Sequence, residues 1–333
     1  MDLTATRRDL EAASLDPHEF FGDEPDATYR GLAKELHPDR YPNDPVMQAE
    51  ATSLFTKLGE LQSRLSGPCE TIASPKREYS VRSALGKGDL CDILFAKSGA
   101  ERFVIKRPFV TAEAANNLLA KEREVLEQLI EASTDGHFAK YVPHPVETFT
   151  IGKQRLCAYQ YEDGFTVADE IMRRVGPLDG RHVAWMLRRL LTALGYSHQT
   201  GWVHGAPVPA HLLFSPANHG LCLIGWLHAV KFGKPLSCVP ATSKAWYPAE
   251  AKTEATPATD IYLAAKTAIR LSGGDPLTNE SPLPAKFQAF LKGCLLESPR
   301  MRPSDAWRVH DELAEVLESV YGPPKFVELC LEK

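Results

Sequence analysis

The stretch that most constrains the fold of this chain is residues 201–227, GWVHGAPVPAHLLFSPANHGLCLIGWL. Apolar runs separated by Gly, Pro and Asn predict a short strand, a loop, a second short strand and a turn. Residues 183–199 carry apolar side chains at helical spacing and predict an amphipathic helix. The sequence therefore predicts a helix that leads into a strand-loop-strand unit.

This arrangement resembles the catalytic loop and the metal-binding turn of a protein kinase, which read H-R-D-L-x-x-x-N and D-F-G. His204 matches the His of that loop. The positions that differ are Gly205 for the Arg, Ala206 for the catalytic Asp, His211 for the metal-binding Asn, Gly225 for the metal-binding Asp, Trp226 for the Phe and Leu227 for the Gly. A methyl group and a bare backbone cannot bind Mg²⁺, which requires hard oxygen ligands. We therefore expect a kinase scaffold without catalytic residues or a metal site.

Residues 79–85, 92–97 and 101–108 predict three successive strands. The turn between the first two, LGKGDLC, resembles the glycine-rich loop of kinases, with Gly86 and Gly88 in place. The third strand contains Phe-Val-Ile-Lys ending at Lys106 and resembles the V-A-I-K strand.

The next predicted helix, 112–132, has Glu122 at the position of the acid that pairs with the kinase Lys. The resemblance implies that Lys106 pairs with Glu122 and contacts nucleotide phosphates. Glu162 and Asp163 follow the predicted strand 157–161, at a segment that resembles the hinge, where they are expected to contact ribose or solvent.

The later kinase segments are also matched. The sequence WYPAE at 246–250 resembles A-P-E, and Asp260 stands at the start of a predicted helix, where the kinase Asp supports the catalytic loop. Arg302 stands where the kinase Arg pairs with the A-P-E acid, here Glu250. The resemblance implies a small lobe at 79–161, a large lobe at 165–321 and a tail at 322–333.

Residues 1–66 predict a small helical module. Asp16 and Pro17 fit the start of a short helix, and apolar positions predict helices over 26–36 and 45–65. The sequence YRGLAKELHPDR between them resembles the J-domain of DnaJ-type co-chaperones. In that family the basic helix and the His-Pro-Asp loop bind a DnaK-type chaperone and stimulate its ATPase. The matching positions are Arg30, Lys34, His37, Pro38 and Asp39, with Arg40 beside them. The alternative is a helical hairpin kept only for packing. Residues 67–78 are expected to be a linker.

Composition excludes several classes of function. The net charge of −5 argues against charge-driven binding to nucleic acid. No apolar run has the length of a membrane span, and the first residues lack the apolar core of a signal peptide, so we expect a cytoplasmic protein with no membrane partner. The seven cysteines show no zinc-site spacing.

The sequence thus predicts an α+β chain: a two-lobed protein kinase-like fold preceded by an all-α J-domain-like module. The function expected first is a non-catalytic pseudokinase adaptor that binds a protein partner, including a DnaK-type chaperone through His37-Pro38-Asp39. It requires no cofactor, and binding of ATP or ADP without metal at Gly86, Lys106 and the hinge is left open. One alternative is a divergent ATP-dependent phosphotransferase that uses Glu162 or Asp163. Another is a purely structural subunit.

Overall fold

The computed structural model describes residues 3–12, 16–22, 24–65, 70–109, 113–134 and 136–331. The chain is a mixed α and β protein. It divides into two compact units, residues 1–111 with 146–161 and residues 112–145 with 162–333. No helix in the described ranges is long and apolar enough to cross a membrane.

The first unit begins with four helices: α1 Leu3–Ala12, α2 Pro17–Phe21, α3 Pro25–Glu35 and α4 Pro45–Leu65. Their shared core contains Leu3, Leu10, Phe21, Leu36, Leu54, Leu58 and Leu61. The predicted bounds of α4 are confirmed, as is the cap of α2, where the side chain of Asp16 accepts from the Glu19 N–H at 3.2 Å. Helix α1 was not predicted, because its inner face carries only two buried leucines, Leu3 and Leu10, which are too few to show a helical period.

A six-stranded sheet completes this unit. Its strands are β1 Thr71–Ala73, β2 Glu78–Lys87, β3 Cys91–Ser98, β4 Glu101–Pro108, β5 Pro145–Ile151 and β6 Gln154–Gln160, in the order β1-β2-β3-β4-β6-β5. Strands β1 to β4 pair antiparallel with their neighbours, and β4 pairs antiparallel with β6.

Strand β1 corrects the expectation of a linker over 67–78, of which residues 67–69 lie outside the described residues. Thr71 pairs with Ser80 at the edge of the sheet, and Ile72 is buried in the sheet core. A single apolar residue between polar neighbours gives too little periodicity to predict a strand this short.

Lys97 of β3 connects the helices of this unit to the sheet. Its ammonium nitrogen lies 2.8 Å from Asp16 Oδ2 and 2.5 Å from Glu19 Oε2. Burial lowers the pKa of Lys97, but the bonds to Asp16 and Glu19 outweigh burial and raise the pKa above its ordinary value. The N-terminal helices are therefore linked to the sheet by the two ion pairs of Lys97.

The second unit is mainly helical. It contains α5 Glu113–Ala132, β7 Thr166–Val167, α6 Ala168–Val175, α7 Gly180–Gln199, β8 Trp202–Val203, β9 Leu212–Ser215, β10 Gly220–Leu223, β11 Val230–Lys231, α8 Pro257–Leu271, α9 Ala285–Cys294 and α10 Ala306–Tyr321. Two small sheets form, in the orders β10-β9-β7 and β11-β8.

Helix α7 lies at the centre of this unit, between α8 and α10. At Gly195 an added Cβ would lie 2.7 Å from the Trp307 ring of α10, so the glycine permits the close packing of these two helices. The helix predicted over 183–199 is confirmed and begins earlier, because Asp179 caps it by accepting from the Arg181 N–H at 2.9 Å.

The strand-loop-strand unit predicted over 201–227 is present and carries more structure than expected. Strand β8 leads into a loop, a 3-10 turn at Pro209–His211, and the hairpin of β9 and β10. A second 3-10 turn, Trp226–His228, follows Gly225.

Candidate functional site

The loop after β8 is held by the buried carboxylate of Asp260, in the first turn of α8. Its Oδ2 accepts from the His204 N–H at 2.7 Å, and its Oδ1 accepts from the Gly205 N–H at 2.8 Å. The Nε2 atom of His198 lies 3.0 Å from the same Oδ2. The predicted support of this loop by Asp260 is confirmed.

Gly205 stands where the resemblance places the Arg of the kinase loop, and the local geometry favours glycine there. Its φ is +80°, a region that favours glycine. An added Cβ would also lie 2.7 Å from Leu236 Cδ2 and 3.0 Å from the carbonyl oxygen of His228. Tyr247 donates to the Gly205 carbonyl at 2.8 Å and fixes the peptide from the other side. A larger residue at this position requires a different backbone path.

Ala206, at the position of the catalytic Asp, is fully buried. Its N–H donates to His204 Nδ1 at 3.2 Å, and its carbonyl oxygen accepts from His211 Nδ1 at 2.8 Å. The backbone here is thus held by two imidazoles, and the side chain supplies no acid or base.

Gly225, at the position of the metal-binding Asp, has a φ of +84°. An added Cβ would lie 2.7 Å from Cγ of the His211 ring, which fills the space where an aspartate side chain would begin. Trp226 is fully buried beside it, donates from Nε1 to the Leu223 carbonyl at 2.6 Å and meets the His204 ring edge-on at 4.6 Å. The rings of His204, His211 and Trp226 therefore occupy the space around this turn.

The imidazoles of this cluster have assignable protons. His204 donates from Nε2 to the Ile224 carbonyl at 2.9 Å, and His211 must carry its proton on Nδ1 because its partner is a carbonyl oxygen. Burial, and then the neighbouring His211 and His228, hold the pKa of His204 well below its ordinary value. His204 is therefore neutral at pH 7.

The positions that the resemblance assigns to the metal-binding Asn and Asp of the kinase site carry His211 and Gly225 in this chain. Within the described ranges, no group of three or more His, Cys, Asp or Glu is arranged to hold a metal ion. Residues 201–249 contain no Asp or Glu. Imidazole nitrogens are poor substitutes, because Mg²⁺ selects oxygen ligands.

The second structural contact predicted from the kinase resemblance is confirmed. Arg302 is buried and donates to the carboxylate of Glu250. Its Nη2 also donates to the Glu297 carbonyl at 2.7 Å. These bonds hold the 3-10 turn Ala249–Lys252 to the segment between α9 and α10.

The predicted nucleotide residues of the first unit lie on β2 to β4. Gly86 and Gly88 are exposed at the tip of the β2-β3 hairpin, where the Gly88 N–H donates to the Cys91 carbonyl at 2.9 Å. Neither glycine has a positive φ, and an added Cβ at Gly86 would meet nothing within 4 Å. Lys106 places its ammonium 5.3 Å from the centroid of the Tyr159 ring.

The two predicted acids belong to the second unit. Glu122 is fully buried on α5, and the Glu162 carboxylate lies 3.6 Å from Nδ1 of His144. The predicted pairing of Lys106 with Glu122, and a nucleotide site that uses residues of both units, stay predictions.

The predicted chaperone-binding residues lie at the end of α3 and in the turn after it. Arg30, Lys34, His37 and Asp39 are exposed, and Pro38 is half-buried. His37 Nδ1 accepts from the Asp39 N–H at 3.3 Å, which caps the 3-10 turn Pro38–Arg40. The ring of His37 meets Phe55 of α4 edge-on at 5.6 Å. The turn is therefore supported from α4 while its Asp remains exposed.

Sequence reasoning did not predict the contacts made by His198 and His228, which lie outside the matched motifs, or the contact made by Tyr247, which lies within WYPAE. Comparison of the chain with protein-family models and with curated proteins finds no match.

We predict that Gly225→Ala lowers the free energy of unfolding by about 2 to 4 kcal/mol, from backbone strain together with the clash against His211. Gly233→Ala is the matched control: its φ is +78°, but its nearest neighbour, Glu254, lies 4.0 Å from an added Cβ. That variant should lose only about 1 to 2 kcal/mol. Urea denaturation measures both.

Adding His211→Ala to Gly225→Ala should recover part of the loss, because the clashing ring is removed. Equal losses for Gly225→Ala and Gly233→Ala, with no recovery in the double variant, would contradict the assignment of His211 to this space.

We also predict that acid weakens the fold through His204. Its pKa is depressed in the folded state, whereas the unfolded chain takes up this proton near pH 6.5, so unfolding binds a proton below that pH. Stability should fall from pH 7 towards pH 5, by up to about 1.4 kcal/mol per pH unit for this one group. His204→Gln keeps one donor and one acceptor, and urea denaturation across this range should show a shallower fall. Identical pH slopes in both proteins would contradict the prediction.

Proposed function

We propose that this chain is a non-catalytic adaptor: a pseudokinase of two-lobed, kinase-like architecture behind a J-domain-like module. The observation that carries the proposal is a contrast around Asp260 between structural contacts that are present and acidic side chains that are missing. The contacts that shape the loop are present, while Ala206 and Gly225 occupy the positions of the catalytic and metal-binding acids.

Phosphoryl transfer depends on placing a base and metal-bound phosphates with accuracy. The cluster offers a methyl group, a glycine and imidazoles instead. An acid at position 225 would meet both a left-handed backbone and the His211 ring, so the packing disfavours an acid where the resemblance places the metal-binding Asp. This favours a role in which the scaffold presents a surface rather than a reaction centre.

Nucleotide binding without metal remains part of the proposal. Gly86 lies in a strand at a shift of the pairing register with β3, has no positive φ and faces open space. Glycine in a strand weakens it and often marks a bulge or a place that a ligand approaches closely. ATP or ADP is the ligand class that the resemblance implies, with Lys106 as the phosphate contact.

The proposed partner of the J-like module is a DnaK-type chaperone in the cytoplasm. Arg30 and Lys34 expose positive charge on α3, and Asp39 is exposed at 85% of its side chain. A partner surface with acidic residues would meet this face favourably. In the described part of the chain no observation favours the phosphotransferase alternative over the adaptor.

We predict that the full chain stimulates ATP hydrolysis by a purified DnaK-type chaperone. Asp39→Asn should reduce the stimulation at least about tenfold, because the resemblance assigns the stimulation to the His-Pro-Asp loop, of which Asp39 is the exposed acid. Glu35→Gln is the matched control, since it neutralises an exposed carboxylate at the end of α3. Single-turnover hydrolysis measures all three proteins. Failure of the unaltered chain to stimulate, or equal loss in both variants, would contradict the chaperone part of the proposal.

A further inference from the structure

Cys238 lies in the segment after the Trp226–His228 turn, and its thiol is close to an imidazole. Its Sγ atom is 3.3 Å from Nδ1 of His228. Cys238 is half-buried, whereas His228 is only 3% exposed. The imidazole therefore lies in the interior, while Cys238 is partly exposed.

The position of the imidazole proton follows from a second contact. The same Nδ1 of His228 lies 3.2 Å from the carbonyl oxygen of Cys238, and a carbonyl oxygen can only accept. Nδ1 therefore carries the hydrogen and directs it at both the oxygen and the sulfur. A hydrogen bond donated to sulfur favours the thiolate over the thiol.

A positive charge acts on the same sulfur. Lys121, on α5, interacts electrostatically with Cys238; burial lowers the pKa of Lys121, and the interactions with Cys238 and Glu122 oppose that effect. A nearby cation and a donor N–H are the two features that lower the pKa of reactive cysteines. Both are present at Cys238.

We propose that Cys238, with His228 and Lys121 as its activating neighbours, is a reactive thiol site that takes small hydroperoxide oxidants. The thiolate sulfur attacks one peroxide oxygen, so that an S–O bond forms and the O–O bond breaks. Sulfur is oxidised by two electrons to sulfenic acid. With hydrogen peroxide as the oxidant, the other oxygen leaves as hydroxide and takes a proton to become water. This site is independent of the proposed adaptor function.

The other cysteines of the described residues provide an internal comparison. Cys91, Cys157, Cys222 and Cys294 are buried, and Cys330 is exposed. Burial, and then the charge of Glu312, raise the pKa of Cys294 to about 12. If solvent exposure alone set the rate, Cys330 would react before Cys238. If His228 and Lys121 activate the thiol, Cys238 would react first.

The test is alkylation of the full chain by iodoacetamide from pH 5 to 9, followed by peptide mapping that resolves each cysteine. We expect Cys238 to react about tenfold faster than Cys330 at pH 7, with a half-maximal pH at least about one unit lower. In concentrated urea the two rates should converge. Hydrogen peroxide followed by a sulfenic-acid probe should label Cys238 first.

Two charge variants separate activation from simple access. Lys121→Met should slow Cys238 about threefold, while Lys140→Met, which removes an exposed lysine beside Tyr141, should leave its rate unchanged. His228→Phe should slow it further. Faster reaction at Cys330, equal half-maximal pH values for the two cysteines, or equal effects of the two lysine variants would overturn the proposal.

Discussion

The carboxylate of Asp260 fixes the path of the loop on which the rest of the site depends. It is fully buried, and its two oxygens accept the successive N–H groups of His204 and Gly205. Buried donors left without an acceptor cost about 1 to 3 kcal/mol each, so this one side chain makes the turn between the two residues favourable in the interior. Gly205 can then adopt its positive φ, and its carbonyl is aligned with Tyr247.

Beyond this loop, the site is occupied by packed side chains rather than by acids or bases. His211 donates to the carbonyl of Ala206, and its ring occupies the space beside Gly225. The glycine and the imidazole are therefore complementary, since a side chain at 225 displaces the ring. A single Gly225→Asp substitution would place a charge in a buried turn without hydrogen-bond partners, which is unfavourable in itself. The loop and the turn therefore form one packed cluster of rings and backbone.

Sequence reasoning predicted the parts of this structure that depend on local pattern or on ordered motifs. The helix α4, the strands β2 to β4, the role of Asp260 and the pair of Glu250 with Arg302 are of this kind. The helix α1 and the strand β1 were missed because one or two buried residues give no usable period. The packing of His211 against Gly225 was missed because it joins residues from different turns, and no spacing rule encodes it.

The measurement that tests the central claim most directly is thermal denaturation of the full chain with ATP or ADP, in magnesium and in EDTA, with Lys106→Ala as the control variant. A ligand that binds the folded state raises the midpoint by mass action. Our account predicts the same shift, whatever its size, with and without magnesium, and a smaller shift in Lys106→Ala if nucleotide binds. A shift that requires magnesium would contradict the account, because it would show a metal site that Ala206 and Gly225 cannot form.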